Sequence, residues 1–427
     1  MLGCVNIARM IFLEQKKHNQ IKGNCVDVFL ARQPIFTPEK KVFGYELLFR
    51  IGLENYFPDV DGDTATSNLL SNIFFPFDFK EILGGKSGLI NFTRDLILQK
   101  IPLVLPKEHF IIEVLENIDP DDNIITSLSI LKEKGFTIAL DDFVYHKKFR
   151  PMIELSKIIK FDIRATPLES LYETLRELRS DYEILFLAEK VETYVEFEQA
   201  KDMGFDLFQG YFFSKPEVLS TKGISSGQIT KLGLVNELGK KELDLQKVET
   251  LIKKDVSVSF KLLRFINSAY FNRRNSINTI KDAITYLGTE ELKRFINIVV
   301  IFDLGANKPN ELVRASIVRA RMCENCGKVL NTSYSMDELF TLGLFSFMDA
   351  ILDCKMETIL SYIAFSEKMK LALLGRDKEF KTILSIVEVF EKGDWKNRIF
   401  DFISGKNIES KFPAFYLDSI KMANSFF

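Results

Sequence analysis

Short apolar runs alternate with amphipathic stretches through the first half of the chain, and this alternation restricts the possible folds more than any other feature. Eight runs have the length and composition of strands, at residues 28–30, 42–48, 89–92, 110–115, 137–143, 158–163, 184–188 and 207–213. Helical periodicity occupies several intervals between them, at 64–74, 123–134, 168–178 and 193–203. A turn at 37–40 predicts that the first two strands form a hairpin. Because strands that alternate with helices build closed parallel sheets, we predict a compact TIM-like (β/α) barrel.

The pattern changes after Lys215 and Pro216, where the strand-like runs stop. Helical periodicity then recurs at 229–237, 245–253, 259–267, 280–287, 290–300, 311–329 and 336–352. A chain of 427 residues is also too long for one ordinary core. The predicted fold class is therefore α/β plus all-α, with an extension at 1–26, a barrel at 27–216 and an all-helical domain at 217–427.

Composition limits the possible partners and the compartment. The net charge is −2, and without a basic excess we expect no DNA or other nucleic acid as the main partner. No apolar run has the length of a membrane span. Five cysteines, at positions 4, 25, 323, 326 and 354, form no disulfide framework, so a reducing cytoplasm is expected. Cys323 and Cys326 lie in a predicted helix, which favours two neighbours on one helical face over a metal or redox site.

Polar side chains follow the predicted strands at their carboxyl ends. The clearest case is the apolar run at 136–140, which ends in Asp141 and Asp142. Adjacent carboxylates repel each other, and a divalent cation is the usual reason for such a pair. A charged residue often marks a strand end without any function, but recurrence after seven strands favours one shared site at the barrel mouth. The other members of this set are Glu46, Asn91, Glu113 with Glu116, Lys160, Glu189 with Glu192, and Gln209.

A series of ordered motifs in the first domain resembles the EAL family, which hydrolyses the bacterial second messenger cyclic di-GMP. The motifs are ARQPI at 31–35, GYELLFR at 44–50, NFT at 91–93, EVLE at 113–116, DDF at 141–143, KFD at 160–162, AEKVET at 188–193 and QGYFFSKP at 209–216. The Glu-Ala-Leu of the family is Glu-Leu-Leu here. So many motifs in family order make the resemblance specific.

The resemblance implies a metal-dependent phosphodiesterase site with Mg²⁺ or Mn²⁺ as the cofactor. Water would attack a phosphodiester of cyclic di-GMP and give the linear dinucleotide. The implied metal ligands are Glu46, Asn91, Glu113 and Asp141, with Asp142 and Glu189 completing the metal site. Lys160 would help to activate the water, and Glu192 would be a supporting acid. The implied substrate-facing residues are Gln33, Arg50 and Gln209.

The chain also departs from the EAL pattern near the acid pair. Active members of the family continue with Gly-Thr-Gly, a loop that couples metal binding to dimerisation, whereas this chain continues with VYHKK at 144–148. Because Val144 cannot readily adopt the positive φ open to glycine, the loop must follow another path. Leu47, Leu115 and Lys190 replace an alanine, a hydroxyl residue and a glycine. Two functions stay open: a working phosphodiesterase, or a receptor or adaptor without turnover.

The second domain resembles the HDOD family, helical relatives of the HD phosphohydrolases. The resemblance spans roughly 225–405 and is clearest at SFKLLRFINS (259–268), IKDAITYLG (280–288) and LFTLGLFS (339–346). HD enzymes bind their metals through several histidines, but the three histidines of this chain, His18, His109 and His146, all lie outside the domain. The resemblance therefore implies a non-catalytic domain that binds a protein partner, in a cytoplasmic cyclic di-GMP signalling protein for which a homodimer is one expected assembly.

Overall fold

The structure is a computed structural model that describes residues 28–51, 79–215, 228–229, 231–232, 235–236, 245–254, 256–271, 276–394, 399 and 409–427. The side chains of residues 28, 29, 50, 51, 247, 251, 254, 256, 257 and 269 are not described. The extension at 1–26 and the predicted helix at 64–74 lie outside the described residues.

Eight strands close into a barrel in sequence order, which confirms the predicted barrel. Their bounds are β1 Val28–Phe36, β2 Val42–Ile51, β3 Ser87–Phe92, β4 Phe110–Val114, β5 Thr137–Leu140, β6 Ile158–Asp162, β7 Leu185–Glu189 and β8 Leu207–Gln209. β1 is antiparallel to both β2 and β8, and every other neighbouring pair is parallel. The predicted hairpin of β1 and β2 is therefore also confirmed.

Apolar side chains fill the barrel from inside and cover it from outside. The interior cluster consists of Ile35, Leu89, Ile111, Ala139, Ile158, Leu187 and Leu207. The outer helices are α1 Phe79–Leu83, α2 Arg94–Leu98, α3 Asp122–Glu133, α4 Arg150–Leu155, α5 Leu168–Asp181 and α6 Tyr194–Asp202. Asp121 caps α3, and Thr193 forms a capping box with Glu196 at α6. The predicted helices at 123–134, 168–178 and 193–203 are thus confirmed.

Two predicted strands are too long at their carboxyl ends. β5 ends at Leu140, because Asp142 has a φ of +38° and leaves the extended conformation. β8 ends at Gln209 and is followed by Gly210, where the backbone of Val191 occupies the place of a side chain. The acid pair therefore lies in a loop above the barrel mouth, outside the regular strand.

The described residues of the second domain form helices joined by turns and loops, and they contain no strand. Its helices are α7 Leu245–Lys254, α8 Val256–Ile266, α9 Ile280–Leu304, α10 Asn310–Val329, α11 Met336–Phe345, α12 Met348–Leu352, α13 Met356–Leu360, α14 Glu367–Leu373, α15 Lys378–Lys392 and α16 Phe412–Asn424. Gly288, with a φ of +71°, kinks α9 between the two helices predicted there. The single helix predicted at 336–352 is wrong, because the helical conformation is interrupted between Phe345 and Met348.

Polar contacts join the two domains along β1, β2 and α1. The buried Arg32 side chain lies over the Tyr45 ring at 4.4 Å, and its backbone N–H donates to the Tyr416 hydroxyl. The Tyr45 hydroxyl donates in turn to Glu311 at 3.0 Å. Lys421 pairs with Glu81 of α1 at 3.2 Å. No helix in the described part of the chain is both long and apolar enough to cross a membrane.

Candidate active site at the barrel mouth

Six strands bring polar side chains to the same end of the barrel. These side chains are Glu46 on β2, Asn91 on β3, Glu113 on β4, Lys160 on β6, Glu189 on β7 and Gln209 on β8. Asp141 directly follows β5. In the parallel register Asn91 is opposite Glu113. Side chains at equivalent heights on adjacent parallel strands point to a shared centre, as the sequence predicted.

Lys160 lies at the middle of this cluster. Its ammonium contacts one oxygen of Glu113, lies 2.8 Å from both Asp141 Oδ1 and Glu189 Oε1, and lies 3.5 Å from Glu46 Oε2. The lysine side chain is only 1% exposed. One buried cation therefore faces four carboxylates, and this excess of negative charge suits a second cation.

Two side-chain amides hold Glu46. Asn91 Nδ2 donates to Glu46 Oε1 at 3.1 Å, and Gln209 Nε2 donates to Glu46 Oε2 at 2.6 Å. The same Gln209 nitrogen donates to Gln33 Oε1 at 2.9 Å. Both oxygens of Glu46 accept hydrogen bonds, which is the pattern of an ionised carboxylate.

Burial shifts the proton affinities of the cluster. Burial raises the pKa of Glu113 well above its ordinary value and raises the pKa of Glu189 to about 8, although the Lys160 charge opposes both shifts. Burial acts in the same direction on Asp141, but the charge and hydrogen bond of Lys160 outweigh it and lower its pKa. For Lys160, burial acts to lower the pKa, yet the surrounding carboxylates raise it well above the ordinary value. The lysine is therefore a permanent cation.

Four buried oxygens in the cluster have no hydrogen-bond partner among the described residues: Asn91 Oδ1, Glu113 Oε2, Glu189 Oε2 and Gln209 Oε1. An unpartnered buried acceptor costs free energy, and a cation or a bound donor removes that cost. Ligand oxygens of Asp141, Asp142 and Glu189 also lie within 4.8 Å of one another. An all-oxygen donor set of carboxylates and amides fits a hard divalent cation.

The remaining predicted residues lie away from the lysine cluster or are only partly described. Glu192 has a side chain that is 57% exposed and that lies 3.4 Å from Lys215 and 3.8 Å from Arg164. Gln33 contacts both Gln209 and, through Nε2, the carbonyl of Lys392 at 2.6 Å. The backbone of Arg50, on β2, is opposite Phe29 of β1, but the Arg50 side chain is outside the described residues. The roles assigned to all these residues stay predictions.

The loop after the acid pair is fastened to the barrel. Tyr145 donates from its hydroxyl to Glu177 at 2.6 Å, and Lys148 pairs with Asp119 at 2.7 Å. His146 accepts from the backbone N–H of Lys148 and so caps a short 3-10 turn. A cavity of about 220 Å³ lies between this loop and β4, next to the acid pair and lined partly by Leu115 and Val144. The loop without glycines thus has a defined path.

Sequence reasoning missed two features beside the site. Lys190 adopts a φ of +58° and pairs with Asp162, so a lysine stands in a left-handed conformation that normally favours glycine. The substitution of a family glycine at this position was the available signal. Tyr211 donates from its hydroxyl to the carbonyl of Glu391, and nothing in the local sequence indicates that contact.

Comparisons with known proteins identify both halves of the chain. The family model of the EAL domain matches residues 86–216, and that of the HDOD domain matches residues 230–364. "Cyclic di-GMP phosphodiesterase CdgJ" of Vibrio cholerae is 34% identical over 93% of this chain and 92% of its own length. "Uncharacterized protein YuxH" of Bacillus subtilis is 34% identical over 86% of this chain and 91% of its own length.

Solved structures with EAL domains are also similar to this chain. The Bacillus subtilis YkuI protein, in complex with cyclic di-GMP and calcium, is 21% identical, with a TM-score of 0.37 over 62% of this chain and 73% of that protein. Klebsiella pneumoniae BlrP1, in a calcium and cyclic di-GMP complex, is 22% identical, with a TM-score of 0.36 over 44% of this chain and 55% of that protein.

Proposed function

Because the chain belongs to the family of proteins that join an EAL domain to an HDOD domain, we propose that it is a cyclic di-GMP signalling protein whose barrel is a metal-dependent phosphodiesterase. The relative CdgJ is named as a cyclic di-GMP phosphodiesterase and matches nearly the whole chain. The observation that most favours catalysis is the buried Lys160 among four carboxylates, with unpartnered oxygens around it.

The residues that would hold a divalent cation are those with oxygens turned into the cluster. They are Glu46, Asn91, Glu113 and Asp141, with Asp142 and Glu189 at the side of the acid loop. Mg²⁺ and Mn²⁺ are the ions proposed, because carboxylate and amide oxygens are their preferred protein ligands. When bound, such an ion polarises a phosphoryl oxygen and lowers the pKa of a water molecule.

Lys160 would bind and orient the reacting groups and would not remove a proton. Its raised pKa keeps the ammonium charged, so it can donate to a phosphate oxygen or to the attacking water in place of one of the carboxylates that it contacts here. Asp141, whose pKa is lowered, is ionised at neutral pH and can accept the proton of that water. The water oxygen would bond to phosphorus as one phosphorus–oxygen ester bond breaks, and the departing ribose oxygen would take up the proton that Asp141 received from the water.

Gln33, Arg50 and Gln209 are proposed to contact the nucleotide, and Glu192 to support the site from its exposed position. The support for a nucleotide contact is most direct for Gln209, because its buried Oε1 has no hydrogen-bond partner in the described part of the chain. That oxygen can accept a hydrogen bond from a donor group of the nucleotide, or it can coordinate a cation.

A receptor without turnover is the second candidate, and the altered loop favours it. The segment after Asp142 contains no glycine and is tied to α5 through Tyr145 and Glu177. A misplacement of about 1 Å can reduce a rate a hundredfold, so retained ligands are compatible with binding alone.

Incubation of the purified full chain with cyclic di-GMP and Mn²⁺ distinguishes these candidates. Linear dinucleotide that forms with Mn²⁺ and not with EDTA supports the phosphodiesterase. Binding by calorimetry without product, at protein concentrations near that of the nucleotide, supports the receptor. Absence of both binding and product overturns both candidates.

For the helical domain we propose a protein partner rather than DNA, in keeping with the small net charge of the chain. We also propose a cytoplasmic homodimer. The molar mass measured by light scattering tests the dimer, because a mass of 49.2 kDa at all concentrations would contradict it.

A further inference from the structure

The end of α15 in the helical domain reaches the mouth of the barrel. The carbonyl of Glu391 accepts from the Tyr211 hydroxyl, and the carbonyl of Lys392 accepts from Gln33 Nε2 at 2.6 Å. Gly393 ends the helix with a φ of +60°, and three atoms of the Leu48 side chain lie within 3.3 Å of the place a Cβ would take. The close approach of the two domains therefore depends on a glycine at this position.

Gln33 connects this helix end to the site by two hydrogen bonds. Its Nε2 faces the Lys392 carbonyl, and its Oε1 accepts from Gln209 Nε2 at 2.9 Å. A carbonyl can only accept, so Lys392 fixes the amino side of the Gln33 amide toward α15 and its oxygen toward Gln209. The helix end thus determines which way round the Gln33 amide lies.

The same reasoning extends to Gln209. Its Nε2 donates one hydrogen to Gln33 and the other to Glu46 Oε2, at 2.6 Å. With both hydrogens used there, the buried Oε1 has no hydrogen-bond partner among the described residues. If the Gln33 amide were reversed, its Nε2 would face Gln209 Nε2, and both of these groups are donors. Gln209 would then no longer be held in this orientation.

The helix end is itself held by a buried ion pair of the helical domain. Arg319 donates to both oxygens of Glu391, at 2.8 and 2.6 Å, and the two side chains are 8% and 11% exposed. Arg319 also lies over the Phe347 ring at 3.7 Å and donates to Ser346 at 3.1 Å. Because α10 and the junction between α11 and α12 thus hold α15, any rearrangement of these elements would shift the Lys392 carbonyl.

We propose that the carbonyl of Lys392, held in place by the Arg319–Glu391 pair, is a positioning group for the barrel site and orients Gln33 and Gln209 in series. The helical domain thereby determines whether Gln209 Oε1 is available to a cation or to the nucleotide. A protein partner that moves α15 would change nucleotide affinity without touching the barrel. This proposal rests on the proposed function for its biological meaning, but the coupling itself is a property of the chain alone.

A matched pair of glycine substitutions tests the coupling. Gly393→Ala places a methyl group against Leu48 and separates α15 from the barrel, whereas Gly375→Ala introduces the same strain at a φ of +69° with nothing within 4 Å of the new methyl. Hydrogen–deuterium exchange is measured on both full-length variants without any ligand. We expect faster exchange at residues 30–36 and 207–212 in Gly393→Ala only.

Nucleotide affinity provides the second readout. In Ca²⁺, cyclic di-GMP should bind Gly393→Ala about three- to tenfold more weakly than Gly375→Ala, with similar melting temperatures of the two variants. Equal exchange in the two variants overturns the coupling, whether or not the chain binds nucleotide. Failure of the parent to bind cyclic di-GMP overturns the proposed function and leaves the exchange result to decide the coupling.

Discussion

Lys160 lies 2.8 Å from one oxygen of Glu189, and the other oxygen of Glu189 has no partner in the described part of the chain. Both side chains are less than a tenth exposed. Burial raises the pKa of Glu189, and the nearby charges of Asp141 and Glu46 add to the shift, whereas the Lys160 charge opposes it. We therefore expect changes at this one contact to affect stability, metal binding and nucleotide chemistry together.

Removal of the Lys160 charge should destabilise the metal-free chain. Lys160→Met leaves four carboxylates without their cation, which should lower the free energy of unfolding by about 3–5 kcal/mol. Lys190→Met is the control, because Lys190 is more than half exposed and its pair with Asp162 should contribute less than about 1 kcal/mol. Thermal unfolding with and without Mg²⁺ measures both.

A divalent cation should replace part of the missing charge. Mg²⁺ at millimolar concentration is expected to raise the melting temperature of Lys160→Met more than that of the parent. Equal shifts in both proteins would contradict a cation site inside the cluster.

The stability of the metal-free chain should depend on the protonation of Glu189. Its pKa of about 8 lies above the ordinary value of 4.5, so the folded state retains a proton that the unfolded state loses. The contribution to stability is complete below the ordinary pKa and is lost as pH rises toward 8, with a slope of up to about 1.4 kcal/mol per pH unit. Urea titrations in EDTA from pH 5 to pH 8 measure this loss.

Glu189→Gln isolates that contribution, because its amide does not titrate. The variant should lose less stability than the parent between pH 5 and pH 8. Identical pH profiles of stability for the two proteins would contradict a raised pKa of Glu189 in the folded chain.

The sharp turn after β8 should tolerate only glycine. Gly210 has a φ of +146° and lies against the backbone of Val191, so Gly210→Ala should cost about 3 kcal/mol and displace Gln209. Gly204→Ala is the control, since its φ is +93° but nothing lies within 4 Å, and about 1 kcal/mol is expected. Equal losses in chemical denaturation would contradict the tight packing at Gly210.

The pattern of strands and polar residues predicted most of the side chains that meet at the barrel mouth. Glu46, Glu113, Lys160 and Glu189 could be placed together because each lies at the carboxyl end of a parallel strand, where the fold fixes direction and height. Glu192 lies beyond the end of β7 and just before α6, and a strand pattern does not determine where such a loop side chain points.

Local sequence could not predict the contacts between the domains. Gln33 and Lys392 are 359 positions apart, and their hydrogen bond depends on how α15 packs on β1. The interruption between α11 and α12 has the same origin, because helical periodicity continues from 336 to 352 while the backbone turns at Ser346 and Phe347. Tertiary packing overrides local preference in both places.

The coupling through Gln33 should appear as non-additivity. If Lys392 acts on the site through this amide, Gly393→Ala should weaken Mn²⁺ binding in the parent but have little further effect in a Gln33→Ala background. Titration of the four proteins by electron paramagnetic resonance gives the coupling free energy. Additive changes would indicate that α15 affects the site by another route.

Hydrolysis of cyclic di-GMP by the parent and by Glu46→Gln is the most direct test of the proposed function. The substitution keeps the shape of the side chain but removes the charge that Asn91 and Gln209 hold in place, so a rate loss of at least a hundredfold is expected in Mn²⁺. Glu169→Gln, an exposed site on α5, is the control and should leave the rate unchanged. Linear dinucleotide from the parent and from Glu169→Gln, but not from Glu46→Gln, is the predicted result. No product from the parent, or equal product from all three proteins, would contradict a phosphodiesterase at the barrel mouth.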